Sequence, residues 1–337
     1  MIKATVKIPV RAPHLCSVLT GFTMLEKQGK IELKIFTDGQ LPCGEIAEIN
    51  IEGKRLAYDM SDGYNYKNFP AVKEYISGCD YYFKRSFSKE LNGIYFSGCA
   101  DKMQKWGFNY LVTCHGNQLY NRDAKRMAFD ALNLLRGRKP ISYFTFDKFE
   151  CAPEYRERQK ILFMTRLWSN ANTSEKNLKK INSTRIEIVK AIRREYPNNS
   201  VAGLYDEKVA REICPELIMP DSYTRKDKYL EVMKNSDICI GSMGLHGSAG
   251  WKTGEYIAAS RAIINERFKY EVTGDFESGK NYLEFNSADE CMKKIEFLFN
   301  NPDEAYQIKK NNHEYYLKYL RPDVQVENSL KTAGIIL

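Results

Sequence analysis

Three groups of residues in this 337-residue sequence have types and spacings that could do chemistry. The first is the run Gly241-Ser242-Met243-Gly244-Leu245-His246-Gly247-Ser248-Ala249-Gly250, followed by Trp251-Lys252-Thr253-Gly254-Glu255. Glycines let backbone N–H groups approach a ligand closely, and a helix that opens just beyond them favours an anion. Arg166 and Lys252 would add charge for a diphosphate, and Glu255 could accept two hydrogen bonds from a ribose diol. The loop fits neither GxGxxG nor the Lys-Ser/Thr ending of a P-loop. The second group is the histidines, of which there are four: His14, His115, His246 and His313. His14 and His115 follow expected strands, where an imidazole titrating near neutrality could deprotonate a hydroxyl. Asp38, in Phe36-Thr37-Asp38-Gly39, is a rival base, although Asp-Gly is ordinary turn chemistry. His313 is expected on the surface of a charged terminal helix. The third group is Asp59 and Asp62, in Tyr58-Asp59-Met60-Ser61-Asp62-Gly63. It lacks an evident third ligand and reads as a turn, so no metal is assigned. Cys114 beside His115 is not a nucleophile–base pair, because neighbours on a strand point to opposite faces.

These groups need elements to position them, and the pattern supplies alternating strands and helices. A strand over 4–10, a helix over 17–28 and a strand over 31–36 make a parallel βαβ unit. Further strands are expected at 78–83, 109–114 and 141–146, with a helix over 123–136. After Pro153 a second series follows. It has strands at 161–165, 201–204, 238–241, 262–264 and 282–285, and helices at 183–196, 226–235, 254–260, 288–299 and 303–320. Arg166 and Gly241 then stand at strand carboxyl ends, where open α/β sheets bind ligands. The chain divides into an N-terminal α/β domain over 1–150 and a C-terminal one over 151–337, joined through 147–160, with the last helix returning to the first domain.

Composition narrows the class. A content of 43% hydrophobic and 12% aromatic residues excludes a disordered chain. No run approaches the roughly 18 apolar residues of a membrane helix, and the N-terminus lacks the apolar core of a signal peptide. Nine cysteines without a CxxC argue for reduced thiols in the cytoplasm, against a disulfide framework or zinc ribbon. Residues 1–150 hold 22 Lys and Arg against 16 Asp and Glu, whereas the remainder holds 29 against 27. The excess concentrates at 102–139, in Lys102, Lys105, Arg122, Lys125, Arg126, Arg136, Arg138 and Lys139. That run is either a solvated face or a surface for anionic headgroups or a phosphorylated acceptor. Nucleic acid is not expected, since no helix-turn-helix, RNP or finger spacing accompanies the charge.

The segment MKNSDICIGSMGLHGSAGWKTGEYIAASRAIINE, with NYLEFNSADECMKKIEFLFNNPDEAYQIKKNNHEYYLKYL after it, resembles the donor-binding domain of group-1 glycosyltransferases. The likeness covers roughly 160–320. It implies the GT-B fold, two Rossmann-like domains facing a cleft that closes to exclude water. It also implies transfer of a sugar from a nucleotide-diphosphate sugar to a glycan or lipid-linked acceptor hydroxyl, as in polysaccharide biosynthesis. No metal or cofactor is implied beyond the nucleotide sugar as co-substrate. Carried over, Glu255 takes the ribose-binding position and Arg166 and Lys252 the diphosphate. Gly241, Ser242, Gly244 and Gly247 form the donor loop, and the first domain would present the acceptor against His14 and His115. One departure is plain. Retaining members carry a second Glu eight positions before the ribose Glu, and here that position is Gly247, with His246 beside it as a substitute contact to sugar or phosphate. Inversion or retention therefore stays open. With this resemblance, the 102–139 run points to peripheral contact with the inner face of an anionic membrane. Two other readings stay open: a nucleotide-sugar epimerase of the same fold, and a ligand- or nucleic-acid-binding module without turnover.

Overall fold

The structure is a computed structural model that describes residues 1–37, 40–117, 119–120, 143–169 and 174–337. It contains two α/β units. The first comprises Met1–Lys148, Glu271–Thr273 and Leu317–Leu337, and the second Phe149–Tyr270 and Gly274–Tyr316.

In the first unit β1 (Ile2–Ile8) runs into α1 (Cys16–Lys27) and returns as β2 (Ile31–Thr37), parallel to β1. Then comes a hairpin absent from the sequence reading, β3 (Ile46–Ile51) and β4 (Lys54–Asp59). Its two-residue turn, Glu52-Gly53, has φ of 48° and 72°, the pair of left-handed residues that matches strand twist. Helix α2 (Phe69–Ser77), capped by Asn68, leads to β5 (Tyr81–Lys84), and α3 (Lys89–Tyr95), capped by Ser88, leads to β6 (Met103–Lys105). The sheet order is β2-β1-β3-β4-β5-β6. Only β3 runs against its neighbours, so its start lies at the edge where β1, β4 and β5 end. Short β7 (Val112–Thr113) and β8 (Phe144–Thr145) pair separately.

The second unit is a fully parallel five-stranded sheet of order β10-β9-β11-β12-β13. Its elements are β9 (Ile161–Thr165), α4 (Glu175–Glu195), β10 (Ser200–Leu204), α5 (Lys208–Ile213), α6 (Asp221–Thr224), α7 (Lys226–Lys234), β11 (Ile238–Gly241), α8 (Trp251–Ala258), β12 (Ala262–Glu266), β13 (Tyr282–Phe285), α9 (Ala288–Asn300) and α10 (Pro302–Tyr315). All of β9 and β11 is buried, as parallel strands covered on both faces must be. Ile188 and Ile192 of α4 and Ile295 and Leu298 of α9 complete one core with Phe163, Ile240 and Ile264. Helix α4 begins eight residues before the expected 183, capped by Ser174.

After a π-turn over Tyr316–Leu320, the chain ends in α11 (Pro322–Thr332), which packs within the first unit. Gly21 of α1 is the contact point: a Cβ there would overlap the Pro322 carbonyl oxygen. Around it, Gln28 donates to Asp323 (2.8 Å), Lys30 pairs with Glu327 (2.7 Å), and the Tyr58 hydroxyl meets Ser329 (2.7 Å). Among the described residues no helix is long and apolar enough to cross a membrane.

Among the described residues, each unit contains one ion pair wholly removed from water. In the first, Lys84 Nζ donates to Asp59 at 3.0 Å, and in the second, Lys309 Nζ donates to Asp237 at 2.6 Å. Removing one partner of such a pair strands the other charge in the core. Lys309→Met is therefore expected to destabilise the second unit by about 3–5 kcal/mol, with much of the loss recovered in the double variant Asp237→Asn/Lys309→Met. Urea unfolding followed by the fluorescence of Trp168 and Trp251 measures it. A loss below about 1 kcal/mol would show that the pair is dispensable.

Candidate functional site

The second sheet reverses its strand order between β9 and β11, and ligands of open α/β sheets bind outside the carboxyl ends at such a point. Arg166 follows β9 there, and the glycine loop follows β11. Gly241 lies against Asn265, whose Oδ1 a Cβ there would overlap, so any side chain would have to displace that amide. The loop folds back on itself through Gly244 N donating to Ser248 O (2.9 Å), and His246 and Gly247 are both left-handed, with φ of 62° and 73°. His246 is half-buried, and its carbonyl accepts from Tyr270 (3.0 Å). At Gly247 a Cβ would lie 2.7 Å from Lys269 Cδ. Backbone and neighbour thus both oppose a Glu at that position.

Helix α8 starts at Trp251 rather than at Gly254, so Lys252 and Glu255 lie one turn apart on the same helix. Glu255 is 2% exposed. Its Oε1 accepts from Lys226, and its Oε2 has no hydrogen-bond partner among the described residues. Half-buried Lys252 donates to the Met164 carbonyl, and its Nζ lies 4.8 Å from the ring centres of both Tyr205 and Tyr229. Burial pulls its pKa down to about 7, with repulsion from Lys226, Arg166 and Arg185 added and Glu255 opposing. Arg185 of α4, 4% exposed, donates to the carbonyls of Arg166 (2.6 Å) and Met243 (2.9 Å), tying the end of β9 to the loop. Burial lowers its pKa to about 10, Glu266 opposing and Arg166 adding to the effect. Glu266 accepts from Met243 N (2.7 Å). Arg166 is exposed, 3.8 Å from Glu207. Lys226 thus pairs with Glu255, Lys252 lies one turn away under the charges of Arg166 and Arg185, and Glu255 keeps an acceptor oxygen to spare. Such a site can take a doubly charged anion and a hydroxyl donor together.

Lys226 and Arg185 were not singled out from the sequence. Lys226 opens a helix and Arg185 sits inside one, positions where a basic residue is unremarkable. The other expected donor residues, Arg166, Gly241, Ser242, Gly244, His246, Gly247, Lys252 and Glu255, all lie on these strand ends, this loop or α8.

The first unit has its own cluster at the edge where β1, β4 and β5 end. His14 sits in the 3₁₀ turn Pro13–Leu15, and Arg85 NH1 donates to both its Nδ1 (3.0 Å) and Asp62 (2.8 Å). Arg has no acceptor, so Nδ1 must accept and the imidazole hydrogen is on Nε2. That nitrogen lies 3.7 Å from Glu45 Oε1. Burial, then Arg85, lower the His14 pKa to about 4, with Asp62 opposing. The ring is therefore neutral at physiological pH and a poor base. Glu45 shifts the other way, pushed up to about 7 by burial, then Asp62 and Asp59, with Arg85 opposing. His115 is exposed in the turn after β7 and makes none of these contacts. Asp59 ends β4 and Asp62 lies in the expected turn that follows, and the two carboxylates hold Lys84 and Arg85. His313 is half-buried against Ser260 (3.1 Å) rather than free on the surface.

Asp38 lies outside the described residues, as do Arg122, Lys125, Arg126, Arg136, Arg138 and Lys139 of the basic run. Lys102 donates to the carbonyls of Ser77 (2.6 Å) and Cys79 (2.8 Å), and Lys105 pairs with Glu271 (2.8 Å). Among the described residues no group of three His, Cys, Asp or Glu is placed to hold a metal ion.

Fold and strand-edge clusters together define a two-unit Rossmann-like α/β protein, the fold class of GT-B. No family model and no curated protein sequence matches the chain. Among solved structures it is similar to a glycosyltransferase from Rickettsia africae, at 16% identity and TM-score 0.47, over 82% of this chain and 69% of that one. It is also similar to HepE from Anabaena solved with UDP, at 13% identity and TM-score 0.40, over 99% and 100% of the two chains. The C-terminal domain of the group 1 glycosyl transferase LpcC from Francisella tularensis aligns with 51% of this chain and 96% of its own, at 13% identity and TM-score 0.37.

The His14 contacts make a pH signature. Its folded pKa lies below the usual 6.5, so an unfolded chain takes the proton first as pH falls. The stability it contributes, about 3 kcal/mol, is full above pH 6.5 and lost toward pH 4. Glu45 works in the opposite direction, so the difference between wild type and His14→Gln isolates the effect. Denaturant unfolding across pH 6.5 to 4.5 should show the wild type losing more stability than the variant; parallel curves would refute it.

Proposed function

We propose that this chain is a glycosyltransferase that takes a sugar from a nucleotide-diphosphate sugar and delivers it to an acceptor hydroxyl. The observation that carries the reading is Glu255, buried on the helix that follows the loop after β11, with Lys226 on one oxygen, the other oxygen without a partner among the described residues, and the cation Lys252 one turn away. A ribose diol would donate to the spare oxygen. Arg166, Arg185, Lys252 and the loop amides would meet the diphosphate charge, which grows as the sugar–phosphate bond breaks. The charge that stabilises the leaving group would then come from the protein itself, and the reading is metal-independent. The first unit would receive the acceptor at its own strand edge, beside His14 and Glu45.

A hexosyl donor and a glycan or lipid-linked acceptor, in polysaccharide assembly at the inner face of a membrane, extend the same reading. Lys102 and Lys105 are engaged within the first unit, so an anionic surface would fall to the residues of 122–139.

Thermal shift with UDP, ADP, GDP and their sugars tests the donor site, because a ligand at 100 times its Kd adds about 2.7 kcal/mol. One nucleotide family should raise the Tm by several degrees, and Glu255→Ala should abolish most of that rise. No shift with any of them would overturn the reading. Lys252 is charged below about pH 7, so nucleoside diphosphate affinity should weaken several-fold as pH rises from 6 to 9. Calorimetric titration should show this slope flattened in Lys252→Met, which retains the phosphate's own titration.

A further inference from the structure

We propose that Glu45 takes the proton from the acceptor hydroxyl, and that His14, held by Arg85 and Asp62, positions it rather than serving as the base. The proposal rests on the transferase reading above. Four elements deliver the groups: His14 after β1, Glu45 just before β3, Asp62 after β4 and Arg85 after β5. The antiparallel course of β3 brings a residue that precedes a strand to an edge otherwise made of strand ends. The Met60 amide donates to the Glu45 carbonyl (2.9 Å), fixing the backbone there.

Among the described residues, each alternative at this edge is chemically occupied. His14 Nδ1 accepts from Arg85, and an imidazolium would lie 3.0 Å from a guanidinium. Asp62 is drawn to the same guanidinium at 2.8 Å, and Asp59 is wholly buried against Lys84. The Cys43 thiol meets Ser61 Oγ at 3.3 Å, and burial pushes its pKa up. Glu45 is left, its side chain 34% exposed and its oxygen 3.7 Å from His14 Nε2. The charges facing it are Asp62 and Asp59 against Arg85, with Ser61 and neutral His14 as its polar neighbours. Two nearby carboxylates and partial burial make it a stronger base than an ordinary glutamate.

In the step, the acceptor O–H bond breaks and its proton goes to a Glu45 oxygen. The freed electron pair forms the bond to the anomeric carbon, while the bond from that carbon to the diphosphate oxygen breaks and its pair leaves on the nucleoside diphosphate. Glu45 then returns the proton to solvent. A single displacement of this kind inverts the anomeric centre.

The test uses the full chain with UDP-glucose, UDP-N-acetylglucosamine, UDP-galactose and GDP-mannose. Transfer, or hydrolysis with water as acceptor, is followed by nucleotide release. Glu45→Gln should lower turnover by about 10²–10⁴-fold while the nucleotide-induced Tm rise stays at the wild-type value. Formate or azide should partly restore Glu45→Ala. The rise of kcat with pH should centre near 7 in the wild type, vanish in Glu45→Gln and move in His14→Gln. If wild type turns over and Glu45→Gln stays within threefold of it, or if the product retains configuration, this proposal fails and the transferase reading stands. If wild type gives neither a Tm shift nor turnover with any of the four, both fail together.

Discussion

Asp59 is the anchor of the first unit. Its carboxylate lies in the sheet with no access to water and accepts from Lys84 Nζ (3.0 Å), Tyr66, Tyr82 (2.9 Å) and the Ser61 amide (2.9 Å). Burial alone would raise its pKa, but Lys84, Tyr66 and Ser61 outweigh burial and hold it below the usual carboxylate range. Its own carbonyl accepts from the Arg85 amide (2.9 Å). One residue therefore fixes where β4 and β5 let go of the sheet, and so where Asp62 and Arg85 emerge. Asp237 has the matching task in the second unit, from the other end of its strand. It takes Lys309 on one oxygen and the Lys160 amide on the other (2.8 Å), locking the starts of β9 and β11 side by side. A buried charge of this kind earns its place by specifying geometry, since desolvation consumes most of its Coulomb gain.

The two strand edges show opposite uses of burial. In the second unit it disfavours the charge on Lys252 and Arg185, among a surplus of cations. In the first it disfavours the charge on Glu45, among carboxylates. An ammonium and a carboxyl that begin more than five pKa units apart are each brought to about 7. In each case the surroundings alone move the group toward neutrality, one by burial among cations and the other by burial among carboxylates.

How much of this could be read in the residues depended on locality. Strands β9, β11 and β12 were legible because a parallel strand buried on both faces is a continuous apolar run, and with them came Arg166 and the loop. Helix α8 starts three residues before the pattern indicates, because Trp251-Lys252-Thr253 carries no start signal and Gly250 caps it with backbone alone. Helix α4 begins before Ser183, where the pattern points, because few apolar residues mark its first two turns. The β3–β4 hairpin shows only a short alternation in β3 and a Glu52-Gly53 turn, too little local pattern to mark it or to single out Glu45 before it. His14 was visible; its neutrality was not. That depends on burial and then on Arg85, 71 positions away, which no local pattern encodes.

The placement of α11 bears on the order in which the molecule can be built. The first unit is made of Met1–Lys148, Glu271–Thr273 and Leu317–Leu337, and α1 packs on α11 where Gly21 meets Pro322 and Val326. A ribosome moving from the N-terminus delivers the whole of the second unit before that partner exists. The second unit is one unbroken stretch save for Glu271–Thr273, and it can close while the first still exposes the apolar face of α1. The half of the protein made first is thus the half finished last, and a chaperone that shields α1 during synthesis would have its longest task at the beginning of the chain.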